Sequence, residues 1–325
     1  MITPPLTDEG AVPVGPASMK AHRLRRLVGF TIGLGLFGAA VWVIARGGAD
    51  FRSALDAARH APWWLGAAVV VLPLVNWLLV GTSFWVLQNR YGSVGWREML
   101  ALIASAWLLN YLPLRPGMFG RLAYHKHVNQ IRYADSARVL VYSVSLTGVS
   151  IGLLLVIAIL VRFGGAWGWV WCVPAPIVMG AAAIALRPHG PLWWRLATSA
   201  LLKYLDMMVW IWRYAAAFAL IGSPLDFQTA LFVAAVSQAA FLIPLAGNGL
   251  GIREWGVRAA SAVQIGLLAD VVNRAAEVTV SLPLGLVGTA WAARRMARLR
   301  AERGILARPT PEQAASGGPD PESGR

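Results

Sequence analysis

Six stretches of this 325-residue chain, at about 27–45, 63–87, 139–161, 167–186, 203–221 and 270–292, are each close to twenty residues long and predominantly apolar. That length matches a hydrocarbon core about 30 Å thick crossed by a helix at about 1.5 Å per residue. Inside a bilayer only helices and closed barrels satisfy every backbone N–H and C=O. The length and apolar character of these runs predict an all-α polytopic membrane protein. Charged residues are 14% of the chain and hydrophobic ones 57%, which argues against a soluble domain of this size.

Two further apolar segments are broken. Residues 99–114, "MLALIASAWLLNYLPL", extend only about 24 Å as a helix and run into "RPGMFGR"; residues 227–245 run into "AGNGLGIRE". Proline and clustered glycines prevent a smooth helix at both points. The breaks also resemble each other. Pro113 precedes Gly117 by four and Gly120 by seven, and Pro244 precedes Gly247 by three and Gly251 by seven; Arg121 and Arg253 follow. Farther on, "VNQIRYADSAR" and "AVQIGLLADVVNR" share Gln-Ile, an Asp, and an Arg three or four residues after it. An internal duplication accounts for these matches, and chance among common loop residues is the competing explanation.

The net charge of +14 and pI of about 11.1 would suggest nucleic acid in a soluble protein. Here the excess sits at the ends and in short loops, the pattern that marks the cytosolic side of a membrane protein, so no nucleic-acid partner is expected. If each broken segment dips in and returns to its own side, the cytosolic pieces hold Lys20, Arg23, Arg25, Arg26, Arg90, Arg97, Lys126, Arg132, Arg138, Arg187, Arg195 and the basic C-terminal stretch from Arg294. The outer pieces then hold only Arg46, Arg52, Arg59, Arg162 and Arg258. Full crossings would put the loops at 126–138 and 187–195 outside, against the positive-inside rule. The expectation is therefore six full spans plus two re-entrant broken helices in inverted repeats, multi-pass in the cell (plasma or inner) membrane, with both termini cytoplasmic. No cleavable signal is evident, and residues 1–19 and 304–325 read as disordered tails flanking a domain at 20–303.

A helix restarting inside the membrane, after Gly117 or after Gly251, presents free N–H groups and a partial positive charge that favours an anion. Arg121 and Arg253 add planar donors suited to phosphate. The candidate substrate-binding set is Arg121, Arg253, Glu254, Gly117, Gly120, Asn248, Gly249, Gly251, Lys203 and Asp206. Glu254 is expected to pair with an arginine, because a lone buried carboxylate is costly. Lys203 and Asp206, three apart in the fifth span, read equally as an internal ion pair or as polar lining of a lipid path. Arg274 and Glu277, also three apart, read as a structural pair. His125, Lys126 and His127 could suggest a metal site, but no carboxylate or thiol stands near them in sequence, and a basic loop touching anionic lipid fits better. The single Cys172 rules out a disulfide framework. No metal, cofactor or catalytic group is expected, and tryptophans at 63–64, 167–171 and 193–194 fit interfacial belts.

The span from about 25 to 300, and above all "NYLPLRPGMFGR" and "LIPLAGNGLGIRE", resembles the lysylphosphatidylglycerol synthase transmembrane domain family, also called the flippase-like domain family, which includes the membrane half of bacterial multiple-peptide-resistance lipid synthases. Met118, where many relatives carry an acidic residue, and Asn248, which interrupts a glycine pair, depart from that pattern. The resemblance implies an eight-segment membrane domain that moves a lipid, often an aminoacylated phospholipid, between leaflets. The residues after 304 are too few and too polar to form a cytosolic aminoacyl-transfer domain, so transport without synthesis is expected. The alternative is a non-transporting accessory subunit that binds a lipid or polyprenyl-linked sugar for a separate lipid synthase or glycosyltransferase; assembly as a homo-oligomer is compatible with either.

Overall fold

The computed structural model describes residues 48–111, 116–242, 251–261 and 265–306, with isolated positions between 31 and 42. The described residues are helical throughout: α1 (Gly48–His60), α2 (Trp63–Gln88), α3 (Trp96–Leu109), α4 (Pro116–His127), α5 (Tyr133–Gly164), a 3-10 stretch (Gly165–Cys172), α6 (Pro174–Ala185), a short 3-10 turn (Arg187–His189), α7 (Pro191–Leu220), α8 (Phe227–Leu242), α9 (Ile252–Ser261) and α10 (Gly266–Leu306). Three stretches are long and apolar enough to cross a membrane: Trp63–Gln88, Tyr133–Val161 and Gly266–Leu299. The first expected span, 27–45, and the tails at 1–19 and 307–325 lie largely or wholly outside the described residues.

Some boundaries differ from the sequence expectation. The run at 167–186 is not one α-helix. Its glycine- and tryptophan-rich start winds as a 3-10 segment, leaving α6 with 12 residues, about 18 Å of helix and too short to cross alone. Residues 48–60, expected only as an outer loop, form the amphipathic helix α1, whose Ala54 is buried in the same apolar cluster as Ile157, Val161 and Ile221. The last helix continues to Leu306, just past the expected boundary at 303.

Both broken segments are pairs of short helices. In the first, α3 and α4 have 14 and 12 residues; in the second, α8 and α9 have 16 and 10. The two helices of each pair pack on one another. In the first pair the approach is so close that a Cβ on Gly117 would stand 2.4 Å from the Ala106 carbonyl oxygen, so only glycine fits. In the second, Gly256 faces Val236. The start and finish of the first pair meet: Asn129 Nδ2 donates to Glu98 Oε1 at 3.1 Å. Phe227, at the start of the second, packs into the same cluster as Ala260 near its finish.

The packing is reciprocal. Residues 63–164 and 191–306 each run long helix, short pair, long helix, and α2 and α7, the opening helices, share an extensive interface. Short helix α3 of the first unit lies on α10 of the second, and α8 of the second lies on α5 of the first. At the α3–α10 contact, Gly285 and Gly288 allow α10 to rest on the backbone at Ala101 and Ala104, the small-residue approach typical of helices packed without a hydrophobic drive between them. Ser105 Oγ and Thr289 Oγ1 add a hydrogen bond of 2.8 Å.

Candidate functional site

Two groups of buried polar side chains lie along the α2–α7 interface, and each involves one of the broken pairs. Helix α7 carries Lys203, Asp206, Trp210 and Arg213 at spacings of three, four and three, so they share one face. Helix α10 does the same with Asp270, Asn273, Arg274 and Glu277, all buried. Helix α2 contributes Asn76 from an otherwise apolar run.

The first group gathers around Arg253, which is fully buried on α9. Gly251 holds φ +80° just before this helix, a conformation that favours glycine, and so lets the chain turn into α9 two residues ahead of the arginine. Arg253 Nε donates to Asp270 Oδ2 at 3.1 Å and its Nη1 to Glu277 Oε2 at 3.2 Å. Arg213 Nη2 reaches the same Glu277 oxygen at 3.3 Å, while its Nε and Nη1 donate to Asn273 Oδ1 and Asn76 Oδ1, both at 3.0 Å. The Arg213 guanidinium also sits 3.7 Å over the Trp210 ring. Tyr214 donates to Asp270 Oδ1 at 2.7 Å and shares a 2.5 Å hydrogen bond with Ser237 on α8. Tyr111, just past α3, donates to Glu277 Oε1 at 3.2 Å. Glu254 pairs with Arg274 at 2.7 Å. Three arginines thus face three carboxylates, and the group is electrically balanced.

The second group is not balanced. Arg121 on α4 and Lys203 on α7 are both buried and both lie over the ring of Phe84 on α2, at 3.9 Å and 5.5 Å from its centroid. Among the described residues neither makes an ion pair. Asp206 lies one turn along α7 from Lys203, but its Oδ1 accepts from Asn76 Nδ2 at 2.6 Å instead. Two cations therefore share an aromatic face with one carboxylate that is turned elsewhere. A buried cation in this setting carries a substantial desolvation cost, which an anion arriving at the ring would offset.

The structure sorts the expected site residues as follows. Arg253 and Glu254 come together with Arg274 and Glu277, but with different pairing: Arg274 joins Glu254, and Glu277 joins Arg213 and Arg253, so the expected local pair Arg274–Glu277 is replaced by contacts between helices. Lys203 and Asp206 share a face without forming an ion pair. Gly117 lies in the first described turn of α4 and packs closely against Ala106. Gly120 is exposed and a Cβ there would meet nothing. Asn248 and Gly249 lie outside the described residues. His125 is buried, with Nδ1 bonded to Asn129 Oδ1 at 3.0 Å, and no metal-binding cluster occurs among the described residues. Sequence reading missed Asn76, Tyr214 and the pairing role of Asp270. A lone amide in the middle of an apolar span was the available signal for Asn76.

Comparison with known proteins returned no matching family model, no matching curated protein and no matching solved structure.

Proposed function

We propose that this chain is a membrane lipid flippase or transporter, which moves a phospholipid or lipid-linked headgroup between leaflets and catalyses no covalent chemistry. In this reading six spans cross the membrane, and the two short-helix pairs are re-entrant hairpins in inverted orientation, one entering from the cytosolic face and one from the outer face. Interrupted helices meeting at depth, with charge at their ends, are the pattern expected of a transporter built from inverted repeats. Two groupings support this arrangement. Glu98 and Asn129, at the ends of the first pair, lie near the basic loops, whereas α1 and Ile221 cluster with Phe227, at the start of the second. The chain is then a multi-pass protein of the cell membrane, of the flippase-like type its two motifs resemble.

The observation that carries the proposal is the buried cations Arg121 and Lys203 on the Phe84 ring, which with Asp206 as the one carboxylate near them leave a net charge of +1. A headgroup phosphodiester would neutralise that excess. Arg253, expected to play the matching role in the second hairpin, is already held by Asp270 and Glu277, so a phosphate would have to displace two carboxylates to reach it. The first headgroup contact therefore falls to Arg121 and Lys203, and Arg253 with Glu254 holds the second hairpin to α10.

The test is leaflet exchange. Wild-type protein in vesicles carrying a fluorescent phosphatidylglycerol should speed exposure of inner-leaflet lipid to an external quencher, with no tRNA, nucleotide sugar or second protein added. Arg121→Ala/Lys203→Ala protein in matched vesicles should lose that acceleration. Wild-type protein that binds the lipid yet leaves exchange unchanged, across a panel of headgroups and with an imposed ion gradient, would replace this reading with the accessory-subunit one.

A further inference from the structure

A separate cavity of about 1010 Å³ opens where the loop after α2 meets the start of α7. Arg90, Arg187 and Arg195 line it together with Trp85, Tyr91 and Trp194, and no acidic residue does. Among the described residues none of these three arginines makes an ion pair. Arg195 is anchored: its Nη1 donates to the Val86 carbonyl at 2.6 Å and its guanidinium lies 4.7 Å over the Trp194 ring. Its Nε is buried without an acceptor. Arg90 and Arg187 are exposed, and Arg90 lies 5.5 Å over Tyr91. Trp193 and Trp96, both exposed, stand beside these loops and would mark the membrane–water boundary.

We infer that this cavity is a binding site for the headgroup of a lipid that carries two phosphate groups. Basic pockets between helices at the cytosolic surface bind anionic headgroups, and guanidinium groups hold phosphate oxygens in bidentate fashion. Charge selects the class. One phosphodiester would leave two of the three arginines uncompensated, whereas two phosphates leave one as a pair of diesters and one or none as a terminal diphosphate. The volume suits such a headgroup, and the aromatic wall at Trp85 and Trp194 suits the start of its acyl or prenyl chains. The site does not involve Arg121 or Lys203 and does not rest on transport.

The experiment is native mass spectrometry of the detergent-solubilised full-length chain, titrated separately with tetraoleoyl cardiolipin, geranylgeranyl diphosphate, dioleoyl phosphatidylglycerol and inorganic pyrophosphate. One equivalent of cardiolipin or of geranylgeranyl diphosphate should bind at a concentration about tenfold below that needed for phosphatidylglycerol, and the tighter of the two identifies how the phosphates are spaced. Arg90→Ala/Arg187→Ala should lose about tenfold in that affinity, and this variant leaves the Arg195 anchor and the fold intact because both side chains are exposed. Arg298→Ala should bind as wild type. Equal affinity for phosphatidylglycerol, retained affinity in the double variant, or binding of pyrophosphate in place of the lipids would each overturn the assignment. A failure of leaflet exchange leaves this result readable, since binding is measured without transport.

Discussion

The two short-helix pairs share a shape and differ in their electrostatics. Around the second, three arginines and three carboxylates close a balanced network that ties α9 to α7, α8 and α10. Around the first, Arg121 and Lys203 face an aromatic ring and, among the described residues, have no ion-pair partner. The same residue type after the same kind of break therefore sits in two settings: a paired buried arginine ties its helix to its neighbours, and the other, on the proposed reading, awaits an anion. The repeated Asp-to-Arg motif diverges similarly. Asp135 pairs with its neighbours Arg132 and Arg138, whose side chains are largely exposed, whereas Asp270 reaches across to Arg253 in the interior.

The largest effect should come from Arg253→Ala. It leaves Asp270 with only the Tyr214 hydroxyl and Glu277 with Arg213 as its one remaining ion-pair partner, and breaking a buried pair costs about 3–5 kcal/mol. Detergent-solubilised variant should lose most of its cooperative thermal transition. Arg121→Ala, at the equivalent break, strands no carboxylate. It should melt at or above the wild-type temperature while leaflet exchange collapses. Parallel melting of the two variants would erase the distinction.

Glycine substitutions test the hairpins themselves. Gly117→Ala must push α4 off the Ala106 backbone, an overpacking of about 1–3 kcal/mol, seen as a lowered melting midpoint; Gly120→Ala, three residues on in open space, should leave it unchanged. Gly251→Ala forces a side chain into the left-handed region, at about 1–2 kcal/mol, and the second hairpin should become the earlier site of limited proteolysis. The smallest effect belongs to Arg132→Ala. Its partner Asp135 keeps Arg138 and the contact faces solvent, so the midpoint should not move. A shift as large as that of Arg253→Ala would mean that the two motifs carry equal loads.

The broken segments were legible in the sequence because proline and clustered glycines act locally and together: the lone prolines Pro73 and Pro283 are carried inside α2 and α10, whereas each break combines proline with several glycines. The burial of Arg121, Arg253 and Glu254 was legible too, since charge inside an apolar run has few places to go. Pairing was not. Whether Glu277 meets Arg274 on its own helix or Arg253 on another depends on how α9 and α10 come together, and spacing along one helix carries no information about that. Asn76 escaped for a related reason. A single amide in α2 becomes a junction only because α7 brings Arg213 to one side of it and Asp206 to the other. The 3-10 stretch at 165–172 was hidden because its residues are as apolar as those of a span.

The exchange of short helices between the two units has a consequence for how the protein is made. The site on which α3 rests, at Gly285 and Gly288 of α10, does not exist when α3 leaves the ribosome. From residue 109 to residue 288 the chain grows by 179 residues, on the order of ten seconds at about 5–20 residues per second. Through that interval the short pair α3 and α4 waits without its partner. On the proposed topology, insertion of the first half is provisional until the last helix arrives.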